Sequence, residues 1–159
     1  MTDTRLTVLG IDPGTTTGWA VRQPDGTFIS GSWDLKPRRQ EGGGMRFVRA
    51  RSLLWQLLAA YPTLGVVAYE EVRYHRGVDA AHVYGGLVAV ITSVCEEQNL
   101  AYQSVSVGIW KKRTCGKGNA KKAEVAAVAA ERWPGETLGQ DEAEARFIAE
   151  AAALDLEGA

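Results

Sequence analysis

The sequence predicts an α/β domain in which helices flank a mixed five-stranded β-sheet. Three observations predict it. Short apolar runs rich in β-branched residues, separated by turn residues, fill the first third of the chain. A lone apolar run at residues 65–69 stands between two helical patterns, as a strand covered on both faces does. The last third carries two alanine-rich helical stretches. The resulting order is β-β-β-α-β-α-β-α-α.

Residues 6–11 form a nearly continuous apolar strand, and Asp12-Pro13-Gly14 is turn chemistry before the apolar run at 18–21. Pro24-Asp25-Gly26 turns the chain again into residues 27–33, completing an antiparallel meander. Residues 36–44, with Pro37 and three consecutive glycines, predict a mobile loop. From Met45 to Ala60, Phe47, Val48, Leu53, Leu54, Leu57 and Leu58 recur at helical spacing, and Pro62 ends the pattern. Strand 65–69 carries Glu70 and Glu71 at its carboxyl end. Residues 73–77 form a loop before a helix over 78–98, a short strand follows at 102–105, and helices are predicted at 120–133 and 141–154, separated by Pro134-Gly135. The 78–98 helix is apolar around most of its circumference, which fits either a symmetric dimer face or a fully buried core helix.

At 159 residues, with 45% hydrophobic and 23% charged, the chain has the size of a single domain spanning 1–159 and not of a two-domain enzyme. No apolar run approaches the roughly 20 residues that span a bilayer. The start, Met1 to Arg5, leads into a strand pattern and not a signal peptide. The expectation is a soluble, cytoplasmic protein with no membrane partner. Cys95 and Cys115 form no CxxC, and His75 and His82 complete no zinc spacing, so both cysteines read as small buried hydrophobes.

The formal net charge is only -1, but it is sorted along the chain. Residues 36–51 hold Lys36, Arg38, Arg39, Arg46, Arg49 and Arg51 against the single acid Glu41. Residues 111–122 hold Lys111, Lys112, Arg113, Lys117, Lys121 and Lys122 against none. Such clusters suit a polyanion, and two solvated basic faces would give the same pattern. Of the five tryptophans, Trp110, beside Lys111 and Lys112, is the one placed to stack on a base.

The chemistry lies in the carboxylates. Asp12 and Glu70 each end an apolar strand, where an ionised carboxylate is costly to desolvate unless something positive meets it. Asp141 and Glu144 stand three apart at a helix start, so both project on one face; capping would account for them equally. Gathered by the sheet, the four acids form an all-oxygen site for Mg²⁺ or Mn²⁺, and two ions about 4 Å apart promote in-line attack on phosphodiesters. Lys122 and Lys111 could then hold the scissile phosphate.

Gly10-Ile11-Asp12-Pro13-Gly14-Thr15-Thr16-Thr17-Gly18 resembles the opening motif of the RuvC family of Holliday junction resolvases, in the RNase H-like superfamily. Tyr69-Glu70-Glu71-Val72 is similar to the family's second acidic strand end, and Gln140-Asp141-Glu142-Ala143-Glu144-Ala145 to its carboxy-terminal helix. Lys111 and Lys122 resemble its paired lysines, eleven residues apart. The resemblance covers most of the chain, and the compact, divergent sequence looks more like a bacteriophage-type member than a housekeeping bacterial one, which implies a bacterial cell or a phage-infected host. It implies an RNase H-like fold, a homodimer, and Mg²⁺-dependent symmetric nicking of four-way DNA junctions, leaving 5′-phosphate and 3′-hydroxyl ends. It maps catalytic and metal-binding acids onto Asp12, Glu70, Asp141 and Glu144, with two ions per site, and leaves open whether Glu71 or Glu142 contributes. Glu144 departs from the family's usual Asp or His. Arg73 and Tyr74 occupy the place of its aromatic wedge, and Tyr74 retains a ring that stacks on bases. Lys112, Lys117, Lys121, Arg73, Arg76, Arg38 and Arg39 complete the expected DNA-binding set.

The first motif also resembles the phosphate hairpin of sugar kinases and actin-like ATPases, which require two such domains. The small RNase H-like nucleases that trim ribosomal RNA precursors share size and first motif but lack the Glu70 context and the lysine pair. A non-catalytic branched-DNA binder would keep the basic segments and lose the acids; here all four acids are present.

Overall fold

The computed structural model describes residues 5–158; residues 1–4, read above as the lead into the first strand, and residue 159 lie outside the described residues. Strands β1 (Thr7–Asp12), β2 (Thr16–Arg22) and β3 (Phe28–Asp34) form the antiparallel meander. Helix α1 (Met45–Ala60) leads to β4 (Leu64–Glu71), α2 (Val78–Glu97) to β5 (Ala101–Ser106), and three helices follow: α3 (Val107–Cys115), α4 (Lys122–Arg132) and α5 (Gln140–Glu157). The sheet order is β3-β2-β1-β4-β5, with β4 parallel to both β1 and β5. The expected mixed five-stranded sheet with helices on both faces is present.

Side chains alternate across a strand, and that parity sorts the whole core. Val8, Val66, Ala68 and Val105 face α3, α4 and α5, packing on Trp110, Val125, Phe147 and Ile148. Leu9, Ile11, Val21 and Val67 face α1 and α2, packing on Leu54, Leu57, Ile91 and Val94. Asp12 and Glu70 share the parity of the first group and Glu71 that of the second, so the β4 acids point to opposite faces.

Helix α5 lies unusually close to the sheet. Its Ala145, Ala149, Ala151, Ala152 and Ala153 are fully buried. Opposite them stand Gly10 of β1 and Gly18 of β2. A β-carbon at Gly10 would overlap the Ala145 carbonyl, and one at Gly18 would overlap the Asp141 carbonyl. Glycine and alanine thus set the distance at which the helix rides over the ends of β1 and β2.

Four sequence expectations change. The segment read as a basic stretch after residue 105 contains α3, which Ser106 caps by accepting from Ile109 N (3.3 Å) and Gly116 ends in the left-handed region (φ 81°). Gly108 and the β-branched residues around it mask that helix in the sequence. Strand β4 runs on through Glu70 and Glu71, which pair with Val105 and Ser106. The loop at 36–44 has no regular structure but is tied down: Glu41 accepts from Arg38 N (3.1 Å) and from Arg49 Nη2 (2.8 Å). Helix α2 is long and apolar enough, by length and composition, to cross a membrane. It packs Leu87, Ile91, Val94 and Cys95 against its neighbours and leaves His82, Gly85 and Ala89 exposed, so it is not a fully buried helix. Cys95 is buried and Cys115 half-buried, and both are free thiols.

Replacing Gly18 by alanine forces α5 outward and is expected to cost at least about 2 kcal/mol in urea unfolding. Gly42→Ala, where a β-carbon meets nothing, changes stability by less than about 0.5 kcal/mol. Equal effects at the two positions would show that the helix does not depend on that approach.

Candidate active site

Parallel pairing sets Ile11 beside Tyr69, so the next residues of the two strands, Asp12 and Glu70, emerge side by side on the α5 face. Both are buried, at 9% and 8% exposure. The first turn of α5 closes over them. One carboxylate oxygen from each of Asp12, Asp141 and Glu144 lies within 4.8 Å of the others. Glu70 adjoins this trio without belonging to it, and its Oε2 accepts a hydrogen bond from Trp110 Nε1 at 2.8 Å.

Electrostatics follow from that crowding. Burial, then the charges of Glu70 and Glu144, a hydrogen bond with Glu144 and the charge of Asp141 hold the Asp12 carboxyl well above the usual range. Burial pushes Glu70 up to about 7; the Trp110 hydrogen bond and the charge of Lys111 oppose it, and Glu144 and Asp141 reinforce it. Acids so disposed hold either protons or hard cations. The all-carboxylate donor set fits a divalent ion such as Mg²⁺ or Mn²⁺.

Several supporting residues carry no sequence motif. Trp110, expected as a stacking platform, is 1% exposed, lies against Phe147 (ring centroids 6.0 Å) and serves the core and Glu70. Its indole needs a buried acceptor, and the strand-end carboxylate supplies it. Tyr84 of α2 donates to the Glu70 carbonyl (2.8 Å) and accepts from Val72 N (3.1 Å), pinning the chain as it leaves β4. Gln140 Nε2 donates to Glu144 at 3.2 Å. Glu142 turns away, accepting from Ser30 Oγ at 2.6 Å. Arg146, buried among the alanines of α5, donates to the same Ser30 and forms a fork with Glu136. Glu71 pairs with Arg73 at 3.6 Å on the other side of β4. Neither Glu71 nor Glu142 belongs to the carboxylate trio. A lone arginine in an alanine-rich helix was the one sequence signal for the Arg146 anchor.

Lys122, expected among the catalytic residues, and the expected DNA-binding residues surround this site unevenly. Lys111, half-buried on α3 with its ammonium 5.7 Å from the Trp110 ring, is the cation that acts on Glu70. Lys122 opens α4 and lines a cavity of about 400 Å³ with Glu136, Gly139 and Gln140. Among the described residues no hydrogen bond or ion pair joins it to the acids. Lys112, Lys117 and Lys121 are exposed, Lys117 pairing with Glu124 at 2.9 Å. Arg73, Tyr74 and Arg76 project from the loop at 72–77, Tyr74 with 94% of its surface exposed. Arg38 and Arg39 are exposed on the loop before α1.

No protein-family model matches the chain, and no curated protein matches it in sequence. Solved structures do match it. The structure of T. thermophilus RuvC in complex with a Holliday junction substrate superposes with a TM-score of 0.81 at 24% identity, covering 96% of each chain. A second Thermus thermophilus RuvC structure gives 0.77 at 23%, covering 96% of this chain and 97% of that one. The yeast mitochondrial Holliday junction resolvase gives 0.62 at 16%, covering 92% of this chain and 78% of that one. The fold is therefore the RNase H-like fold. The chain shares that fold with the two RuvC structures, and it is the fold that the sequence motifs led us to expect.

Glu70 binds its proton more tightly in the folded chain than when unfolded, so its contribution is full below its ordinary value of 4.5 and is lost as pH rises through about 7. Glu70→Gln removes that loss. In chelator the variant is expected to match wild type in thermal unfolding below about pH 4.5 and to exceed it by up to about 3 kcal/mol at pH 8. Mg²⁺ narrows the gap. Equal stability at pH 8 would contradict the raised value.

Proposed function

We propose that this chain is a RuvC-type Holliday junction resolvase, a metal-dependent endonuclease that nicks four-way DNA junctions. The observation that carries this reading is the carboxylate trio of Asp12, Asp141 and Glu144 beside Glu70, on the fold of enzymes whose structures hold junction DNA. Asp12, Asp141 and Glu144 would hold the divalent ions, with Glu70 beside them. Bound there, Mg²⁺ or Mn²⁺ would supply Lewis-acid stabilisation of the phosphate and activation of the attacking water.

The chain's own side chains do the rest. Trp110 fixes Glu70 Oε2 before substrate arrives, so the carboxylate spends no ordering entropy when DNA arrives. Lys111, whose charge already acts on Glu70, neutralises the phosphate charge that the acids would repel. Lys112, Lys117, Lys121 and Lys122 track the backbone on the α3–α4 side. Tyr74 stacks on a base exposed at the junction centre, flanked by Arg73 and Arg76. A second copy of the chain, docked through the outer face of α2, would give a homodimer and match two sites to two strands of a symmetric junction.

A synthetic four-way junction, compared with linear duplex and a ribosomal RNA precursor, tests the proposal. Wild type is expected to make paired symmetric nicks in the junction with Mg²⁺, and none in chelator. Asp12→Asn lowers cleavage by more than about 100-fold while junction binding persists. In single-turnover assays at saturating enzyme, Lys111→Ala slows cleavage more than Lys122→Ala does. Cutting confined to RNA would replace the resolvase reading with ribosomal RNA processing, and junction binding without cutting would leave a non-catalytic binder.

A further inference from the structure

Next to the turn that follows Asp12 lies a second cavity, of about 480 Å³, that the carboxylates do not line. Pro13, Gly14 and Thr15 form one wall, Arg46 from the first turn of α1 another, and His75 and Tyr84 a third. Arg46 differs from the half-buried Arg49 and Arg51, which are ion-paired, although Arg49 shares with it one shielded N–H that meets no acceptor. Arg22, Arg49, Arg51, Arg132 and Arg146 each reach a carboxylate. Arg46 is half-buried, its Nε is shielded from solvent, and among the described residues it meets no hydrogen-bond acceptor and no acid. Asp79 lines the same cavity but makes no ion pair with it; it sits in the first turn of α2, where the helix end favours a carboxylate.

A desolvated guanidinium N–H without an acceptor carries a standing cost, which an arriving anion removes. The guanidinium fork matches two non-bridging phosphate oxygens. Pro13, Gly14 and Thr15, which wall this cavity, directly follow Asp12, so the cavity opens beside the carboxylate site. We infer that the Arg46 cavity seats a phosphate of the cleaved DNA strand, adjacent to the phosphate presented to the acids. This rests on the nuclease reading above and adds to it a specific phosphate seat on α1, remote in sequence from both lysine-bearing helices. Arg46 is thereby a positioning residue: held at two points, the strand presents its scissile bond in one register.

The test uses the full chain and a fluorescent synthetic four-way junction, titrated across a range of salt in chelator so that no cutting occurs. Arg46→Gln is expected to weaken binding about tenfold and to lower the slope of log affinity against log salt by about 0.9 for each chain bound. Its melting temperature stays level or rises, because no intramolecular partner is lost. Arg46→Lys keeps the charge and loses the fork, so it retains the slope and binds more weakly than wild type. A lowered melting temperature with an unchanged slope would make Arg46 a structural residue. Unchanged affinity and slope in Arg46→Gln, or wild-type affinity in Arg46→Lys, would overturn the seat. If wild type itself neither binds nor cuts the junction, the nuclease reading falls with it. If wild type binds and cuts and Arg46→Gln matches it throughout, only the Arg46 seat falls.

Discussion

Helix α5 can lie against β1 and β2 only because Gly10 and Gly18 offer it no side chain. The consequence is chemical as well as structural. Asp141 and Glu144 lie in the first two turns of that helix, and Gly18 stands beside Asp12 in the β1–β2 register and directly beneath the Asp141 carbonyl. Moving the helix out by one methyl group would separate its acids from Asp12. The alanines along its buried face and the two glycines beneath it are therefore part of the site, although none carries a functional group. Arg146 secures the same helix from the side, through Ser30 on β3 and Glu136 on the preceding loop, while Trp133 and Phe28 flank its guanidinium.

Bringing these carboxylates together costs stability, and the surroundings do little to relieve it. Burial and mutual repulsion raise both Asp12 and Glu70, against one indole hydrogen bond and one lysine charge on Glu70. A fold selected for stability alone would place alanine or a hydroxyl there. The cluster is intelligible as a site whose stabilising partner arrives from solution, since a divalent ion converts each repulsion into a shared attraction.

Much of this was legible in the sequence because strand ends and helix starts are marked by composition. Asp12 closes a β-branched run and Asp141 follows a Pro-Gly break, so the acids and their elements could be placed together. What escaped was whatever depends on contact between distant elements. Trp110 looked like an exposed platform beside two lysines, yet α3, hidden by Gly108, turns it inward to Glu70. Spacing alone could not separate Lys111 from Lys122; in the fold the charge of Lys111 acts on Glu70 from α3, while among the described residues no hydrogen bond or ion pair joins Lys122 of α4 to the acids. Tyr84, with no motif around it, anchors the end of β4 through backbone atoms that no sequence pattern records.

The choice of Glu70 over Glu71 shows how little separates a site from a surface. The two glutamates are neighbours with the same chemistry, and a shift of β4 by one residue against β1 would exchange them. Val66 and Ala68 face α5 while Val67 and Tyr69 face α1 and α2, so the apolar pattern of the whole strand holds the register. That register puts Glu70 under Trp110 and sends Glu71 to Arg73 in solvent. The position of the functional carboxylate is thus set by the packing of residues before it in β4, and Tyr84, bonded to the backbone on either side of Glu71, holds the last turn of that register in place.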